Sequence, residues 1–359
     1  MQLPIAAVAP LALLFVIGCD TSHPISSGNS ADVPADVQGD ISNAVLPLGR
    51  FARQDDYKCR GRDYNAFDFW VGTWNATTTG APDIVGTNII TRETDGCTVE
   101  EHWTDASGMR GRSLNAFDAT TGRWYQLWME QSGGGLQFDG TSGNRSMQLA
   151  GTHQTNRNDP TPVTDRATWT AMGANSVRQL GEIATNGGPF ATAYDITYLR
   201  ADVPQAITLS ETAVCSAPTR PRYHAFDFII GNWTLTTPSA PVTGRSEIRT
   251  DLNGCLVEER ITGPDGYKAV AYSGFRSTTF VWNWMFMDNR GVQLRLTGPA
   301  TLTGTNMILT GKRTDRSGAD VDVRAEWIVV DATTVEQRWA FSTDGGATWS
   351  EPIVVKMTK

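Results

Sequence analysis

Tyr64-Asn-Ala-Phe67-Asp68-Phe69-Trp70-Val-Gly72-Thr-Trp74 returns 159 residues later as Tyr223-His-Ala-Phe226-Asp227-Phe228-Ile229-Ile-Gly231-Asn-Trp233. The echo then runs at an offset of 158. Gly96-Cys97-Thr-Val99-Glu100-Glu101 becomes Gly254-Cys255-Leu-Val257-Glu258-Glu259, and Arg166-Ala-Thr-Trp169 becomes Arg324-Ala-Glu-Trp327. Matches in one order at a near-constant offset mark a duplicated domain, with one residue lost between the copies. The unit is longer than a solenoid repeat of roughly 20–50 residues. Each copy is therefore expected to be a complete globular domain of about 150 residues with its own core.

Outside the repeats, the first residues read as an export signal. Leu11-Ala-Leu13-Leu14-Phe15-Val16-Ile17-Gly18-Cys19 is an apolar run that ends in a small residue and a cysteine, too short for an ordinary membrane span. Cys19 directly after Val-Ile-Gly resembles a bacterial lipobox, which implies lipidation at Cys19 and a place in the cell envelope, held to a membrane by the anchor. The basic residues usual before such a run are missing, and an ordinary cleaved signal is the alternative. The next stretch, to residue 56, is rich in Ser, Pro, Asp and Asn without apolar periodicity and reads as a flexible tether. The expected organisation is a signal over 1–19, a tether over 20–56, a first barrel over 57–200, a linker over 201–214 and a second barrel over 215–359.

Without Cys19 there remain Cys59, Cys97, Cys215 and Cys255, two per copy in matching places. Four cysteines allow three pairings, and the duplication selects Cys59–Cys97 with Cys215–Cys255. Each closes a loop of about 40 residues, worth roughly 4 kcal/mol in the chain-entropy account. Free buried thiols are the alternative. Histidine is scarce and no CxxC spacing occurs, so no metal site is expected. The net charge of −8 and the lack of a basic block argue against a nucleic-acid partner.

Both copies read as all-β. Short runs rich in Val, Ile, Thr, Tyr and Trp alternate with turn residues at intervals of about 8–12 residues. Asp95-Gly96, Thr121-Gly122 and Asn253-Gly254 mark hairpins. Consecutive hairpins favour an up-and-down meander, and closing it into a barrel removes the exposed edges. A short turn is expected at Ala66–Trp70, before the first strand.

The opening motif, the later Gly96-Cys97 with Glu100-Glu101, and Trp124-Tyr-Gln126-Leu-Trp128 resemble the bacterial domain-of-unknown-function family 1579. The opening also resembles the Gly-x-Trp signature of lipocalin-like barrels. The resemblance covers nearly all of both copies and implies two tandem lipocalin-like antiparallel β-barrels, each with a Trp plugging one end. It implies no established chemistry. The second copy departs by placing Ile229 at Trp70 and Trp284 at Gln126, so the two interiors are expected to differ if Gln126 meets a ligand.

Strand alternation puts Cys97, Val99, Glu101 and Trp103 on one face and Thr98, Glu100 and His102 on the other. Glu101 and its counterpart Glu259 thus share a face with apolar residues and are expected inside the barrels, where a carboxylate needs a partner or a raised pKa. Arg166 and Arg324 are the expected partners, as structural bridges or as part of a ligand site. Trp124, Gln126 and Trp128, matched by Trp282, Trp284 and Phe286, form a stripe that lines a pocket or fills a core. Their neighbours Tyr125, Leu127 and Met129 are also apolar, which leaves the inward face open.

Ser342-Thr-Asp344-Gly-Gly346-Ala-Thr-Trp349 matches an Asp-box hairpin but occurs once, so it is read as a turn capped by Asp344. No histidine is shared by the copies, and only His102 or His153 could serve a haem-type pocket, in the first domain alone. No cofactor is expected. No G-x-S-x-G elbow, H-E-x-x-H or phosphate loop is present. The expected function is binding of a small, partly apolar molecule. The competing readings are a cavity enzyme of cyclase or isomerase type that uses Glu101 or Glu259, and an adaptor whose barrels are filled by their own side chains.

Overall fold

The computed structural model describes residues 59–359 apart from 157, 238–239, 303 and 315–317. The signal-like run, Cys19 and the tether lie outside the described residues. A 3₁₀ turn at Asp68–Trp70 leads into β1 (Gly72–Thr78), β2 (Ile84–Glu93), β3 (Thr98–Asp105), β4 (Arg110–Asp118) and β5 (Arg123–Glu130). There follow β6 (Gly135–Gly143), β7 (Ser146–Asn156), β8 (Asp159–Ala171), β9 (Ser176–Thr185) and β10 (Ala191–Arg200). A 3₁₀ turn at Asp227–Ile229 opens the second copy. Its strands are β11 (Gly231–Thr237), β12 (Ala240–Asp251), β13 (Leu256–Thr262), β14 (Lys268–Arg276), β15 (Val281–Asp288), β16 (Gln293–Pro299), β17 (Asn306–Thr314), β18 (Asp320–Asp331), β19 (Thr334–Ser342) and β20 (Ile353–Thr358).

Each copy is a closed antiparallel meander of ten strands, sealed where β1 pairs with β10 and β11 pairs with β20. Closure leaves no unpaired edge to template another chain. The chain is thus all-β, two tandem antiparallel barrels. Cys59 bonds Cys97 and Cys215 bonds Cys255, each tying the segment before its plug to the start of the third strand of its barrel.

The opening motif closes one end of each barrel. Phe67 stacks on Trp70 at 4.8 Å between ring centres and meets Trp169 edge-on at 5.3 Å. Phe226 meets Trp282 and Trp327 edge-on in the same way, at 5.6 and 5.0 Å. The indole N–H of Trp74 donates to the Trp70 carbonyl at 2.8 Å, and that of Trp233 to the Ile229 carbonyl at 2.6 Å. These residues bury large apolar area at the chain entry, and the indole N–H groups of Trp74 and Trp233 find a carbonyl there. The Asp-box segment is a turn, as read: Asp344 accepts from the Thr348 backbone N–H and hydroxyl.

The two barrels face each other through corresponding strands. β4 packs on β16, β6 on β14, and β5 on β15. Polar contacts repeat with the copies exchanged. Lys268 pairs with Asp95, and its counterpart Arg110 donates to Asn253, the counterpart of Asp95. The interface is therefore close to isologous, as in a two-fold homodimer, but built within one chain. This explains the apolar Tyr125, Leu127 and Met129: they leave the first barrel and are buried against the second. Met129 packs against Gly274, and the Arg295 guanidinium lies 3.6 Å from the Tyr125 ring centre.

Candidate functional site

The end of the first barrel opposite its plug is open to a cavity of about 300 Å³. Alternation on β5 turns Gln126, Trp128 and Glu130 into it, while Trp124 on the same face belongs to the plug. Trp124 meets Phe67 edge-on and donates to the Asp63 carbonyl at 3.2 Å. Trp282 does the same in the second copy, donating to Arg222. Two of the cavity rings lie on glycine backbone. A Cβ at Gly111 would sit within the Trp128 ring, and one at Gly181 within the Tyr194 ring, so both positions must stay bare for the walls to seat.

Glu101, 5 % exposed, lies on the cavity wall. Asn88 Nδ2 and Ser113 Oγ each donate to it at 2.7 Å. The polar chain extends both ways. Gln126 donates to Asn115 at 2.8 Å and Asn115 to Ser113 at 2.9 Å. On the other side Asn88 approaches the Tyr198 hydroxyl, Tyr198 donates to Gln179 at 2.5 Å, and Gln179 donates to Tyr194 at 3.1 Å. Burial pushes the Glu101 carboxyl up to about 7, because the Asn88 and Ser113 hydrogen bonds and the Arg112 charge offset desolvation only in part.

Arg166 does not reach Glu101, which corrects the pairing expected from sequence. Ala167 and Trp169 face inward on β8, so Arg166 faces out; it bonds Glu182 at 2.9 Å and covers the Phe190 ring. Arg324 likewise leaves β18 outward and lies over Trp349, away from Glu259. The spacing held the answer: Arg166 stands three positions before Trp169, and an odd separation on a strand means opposite faces. The two histidines also fall outside the cavity lining. His102 sits on the outer face of β3, where burial and Arg112 lower it to about 4, and His153 bonds Asp165 at 2.7 Å.

The second barrel keeps the carboxyl and carries a cluster of aromatic rings where the first has Gln126 and Gly181. Glu259, also 5 % exposed, accepts from Ser246 at 2.6 Å, and burial pushes it up to about 7. Trp284 replaces Gln126 and meets Phe286, Trp327 and Trp339 at 5.5, 6.0 and 5.9 Å. Trp339 occupies the place of Gly181, and its strand partner Ile353 that of Tyr194. Among the described residues no group of His, Cys, Asp and Glu is placed to hold a metal ion, and no helix is long and apolar enough to cross a membrane.

No family model matches the chain, and no curated protein matches it. One similar solved structure is a protein of unknown function from the DUF3598 family of Nostoc punctiforme, 9 % identical, covering 84 % of this chain and 100 % of its own, with a TM-score of 0.20. Another is kievitone hydratase from Nectria haematococca, 11 % identical over 86 % of this chain and 95 % of its own, with a TM-score of 0.14. Superpositions this loose carry no functional argument.

Proposed function

We propose that the protein is a binding module of the cell envelope, in which the first barrel holds a small, partly apolar molecule and the second is its filled structural partner. The observation that carries this reading is the contrast between two copies of one frame. Gln126 faces the cavity of the first barrel where the second carries Trp284, and Gly181 with the Tyr194 ring laid over it is replaced by Trp339 with Ile353. A cavity of about 300 Å³ with aromatic walls and a few convergent polar groups is the usual form of a small-molecule site.

Nile red is expected to bind one site per chain and brighten. The variant Gln126→Trp/Gly181→Trp/Tyr194→Ile, which gives the first barrel the residues of the second, is expected to lose that signal and keep its melting temperature. Unchanged dye binding in a folded triple variant rejects the cavity as the site.

The enzyme reading has one observation in its favour, a cavity carboxyl poised near neutral pH for proton transfer. Glu259 is raised as far in the filled barrel, so the raised pKa follows from the frame and does not by itself mark catalysis. Export and anchoring rest on the lipobox-like Cys19 and agree with two disulfides, which persist in oxidising compartments; kinship with family 1579 rests on the opening motif. Mass spectrometry of the mature N-terminus is expected to find a lipidated Cys19, and an unmodified terminus elsewhere rejects the anchor.

A further inference from the structure

We propose that the first barrel selects an organic cation, a protonated amine on a flat apolar body, with its nitrogen at Glu101 and its body among the aromatic walls. This rests on the cavity reading above and specifies its ligand. The cavity lining is acidic and aromatic. Glu101 lies in the wall and Glu130 lies at the mouth, with Trp128, Trp169, Tyr194 and Tyr198 among the rings, and no Lys, Arg or His is part of the lining. Ring faces attract cations most strongly in a desolvated site.

Glu101 is short of a counter-charge. Among the described residues no Lys, Arg or His pairs with it, unlike Glu100 beside it, which holds Arg260. Asn88 and Ser113 give Glu101 one hydrogen bond to each oxygen, leaving acceptor capacity on both. Asn88, fully buried beside it, has its Oδ1 without a donor. An ammonium group supplies N–H donors and the missing positive charge together. A neutral ligand leaves the charge unmatched, and an anion meets Glu101 and Glu130 with like charge.

Cation binding is therefore linked to the ionisation of Glu101. Asn88 on β2 and Ser113 on β4 bond it, and Tyr198 with Tyr194 on β10 share the cavity wall and feel its charge. Glu130 lies at the mouth, and Arg112 acts from the outer face of β4. With the free carboxyl near pH 7, a ligand that prefers the ionised form binds more weakly as the pH falls through that value.

Calorimetric titration of the full chain with phenethylamine, phenethyl alcohol and hydrocinnamate tests the inference, with displacement of Nile red as an independent readout. At about pH 8, phenethylamine is expected to bind at least about tenfold more tightly than the alcohol, and hydrocinnamate not at all. Its affinity is expected to fall about tenfold from about pH 8 to about pH 6. Glu101→Gln is expected to erase the preference for the amine while retaining the alcohol. Equal binding of amine and alcohol, a flat pH profile, preference for hydrocinnamate, or failure of the amine to displace bound Nile red overturns the cation inference and leaves the cavity reading standing. If Nile red also fails to bind, both readings fall.

Discussion

Chemical denaturation is expected to show the chain about 5 kcal/mol more stable near pH 5 than near pH 8, the reverse of ordinary loss of carboxylate stabilisation in acid. Glu101 and Glu259 are each pushed by burial from 4.5 to about 7, worth about 3 kcal/mol apiece when both folded and unfolded forms are ionised. Between those two values the folded chain holds protons that the unfolded chain has released, so stability falls as pH rises. Below about pH 4.5 both states are protonated and the penalty vanishes. Asp288, pushed by burial to about 7, adds in the same direction; His102, lowered to about 4, opposes it below about pH 6.5, and Asp95, Asp195 and Asp251, held below 3.8, oppose it further down. For Asp95, Asp195 and Asp251, burial opposes the pairing, and their stabilisation is lost only at still lower pH. Glu101→Gln/Glu259→Gln is expected to remove about 5 kcal/mol from the difference between about pH 5 and about pH 8 and to gain stability at about pH 8, where neither site has an arginine to lose. A wild-type profile that is level from about pH 5 to about pH 8 contradicts the description of both carboxyls as buried without cations.

Arg260→Ala is expected to cost about 3–5 kcal/mol, since it strands a buried charge at the barrel interface. Glu100, with a side chain 1 % exposed, is bound by both Nη atoms of Arg260 across the interface. Burial holds the Glu100 carboxyl above the ordinary range against that pull. Without Arg260 only the Tyr272 hydroxyl at 3.3 Å and the Thr98 hydroxyl at 3.2 Å remain. Glu258 keeps Arg249 and suffers less. Replacing the pair by apolar side chains, Glu100→Leu/Arg260→Met, is expected to recover most of the loss, because desolvation disappears with the charge. Equilibrium unfolding of the three proteins decides it, and a single variant within error of wild type rules out the stranded charge.

The sequence carried the barrels, the disulfides and the inward carboxyls because each follows from a period or a repeat. Val99 and Glu101 share a face by alternation, and the matched places of the cysteines selected pairing within each copy. The outer face of the first barrel was harder to read. Leu127 and Met129 are as apolar as residues of an interior because a second barrel covers them, and pattern alone cannot separate two buried faces. Glu100 hid for the same reason, since alternation placed it on the face opposite Glu101 and gave no sign that a second barrel encloses that face. The difference between the two interiors was present in the aligned copies, where Val177-Arg-Gln-Leu-Gly181 stands against Val335-Glu-Gln-Arg-Trp339. That difference acquires meaning only when Gly181 is seen to support Tyr194.

The near-symmetric meeting of β4, β5 and β6 with β14, β15 and β16 bears on how two such different barrels could arise from one. In a pair of identical subunits, any change that fills one cavity fills the other, and any ion pair across the axis occurs twice. Joining the subunits in a single polypeptide releases that constraint. One half carries Trp339 where the other has Gly181, and one half supplies Arg260 where the other has His102. The fused chain keeps the footing of a dimer while its halves follow separate careers. Separately produced halves should therefore still recognise each other, because each presents to the other the strands and polar contacts that the other presents to it.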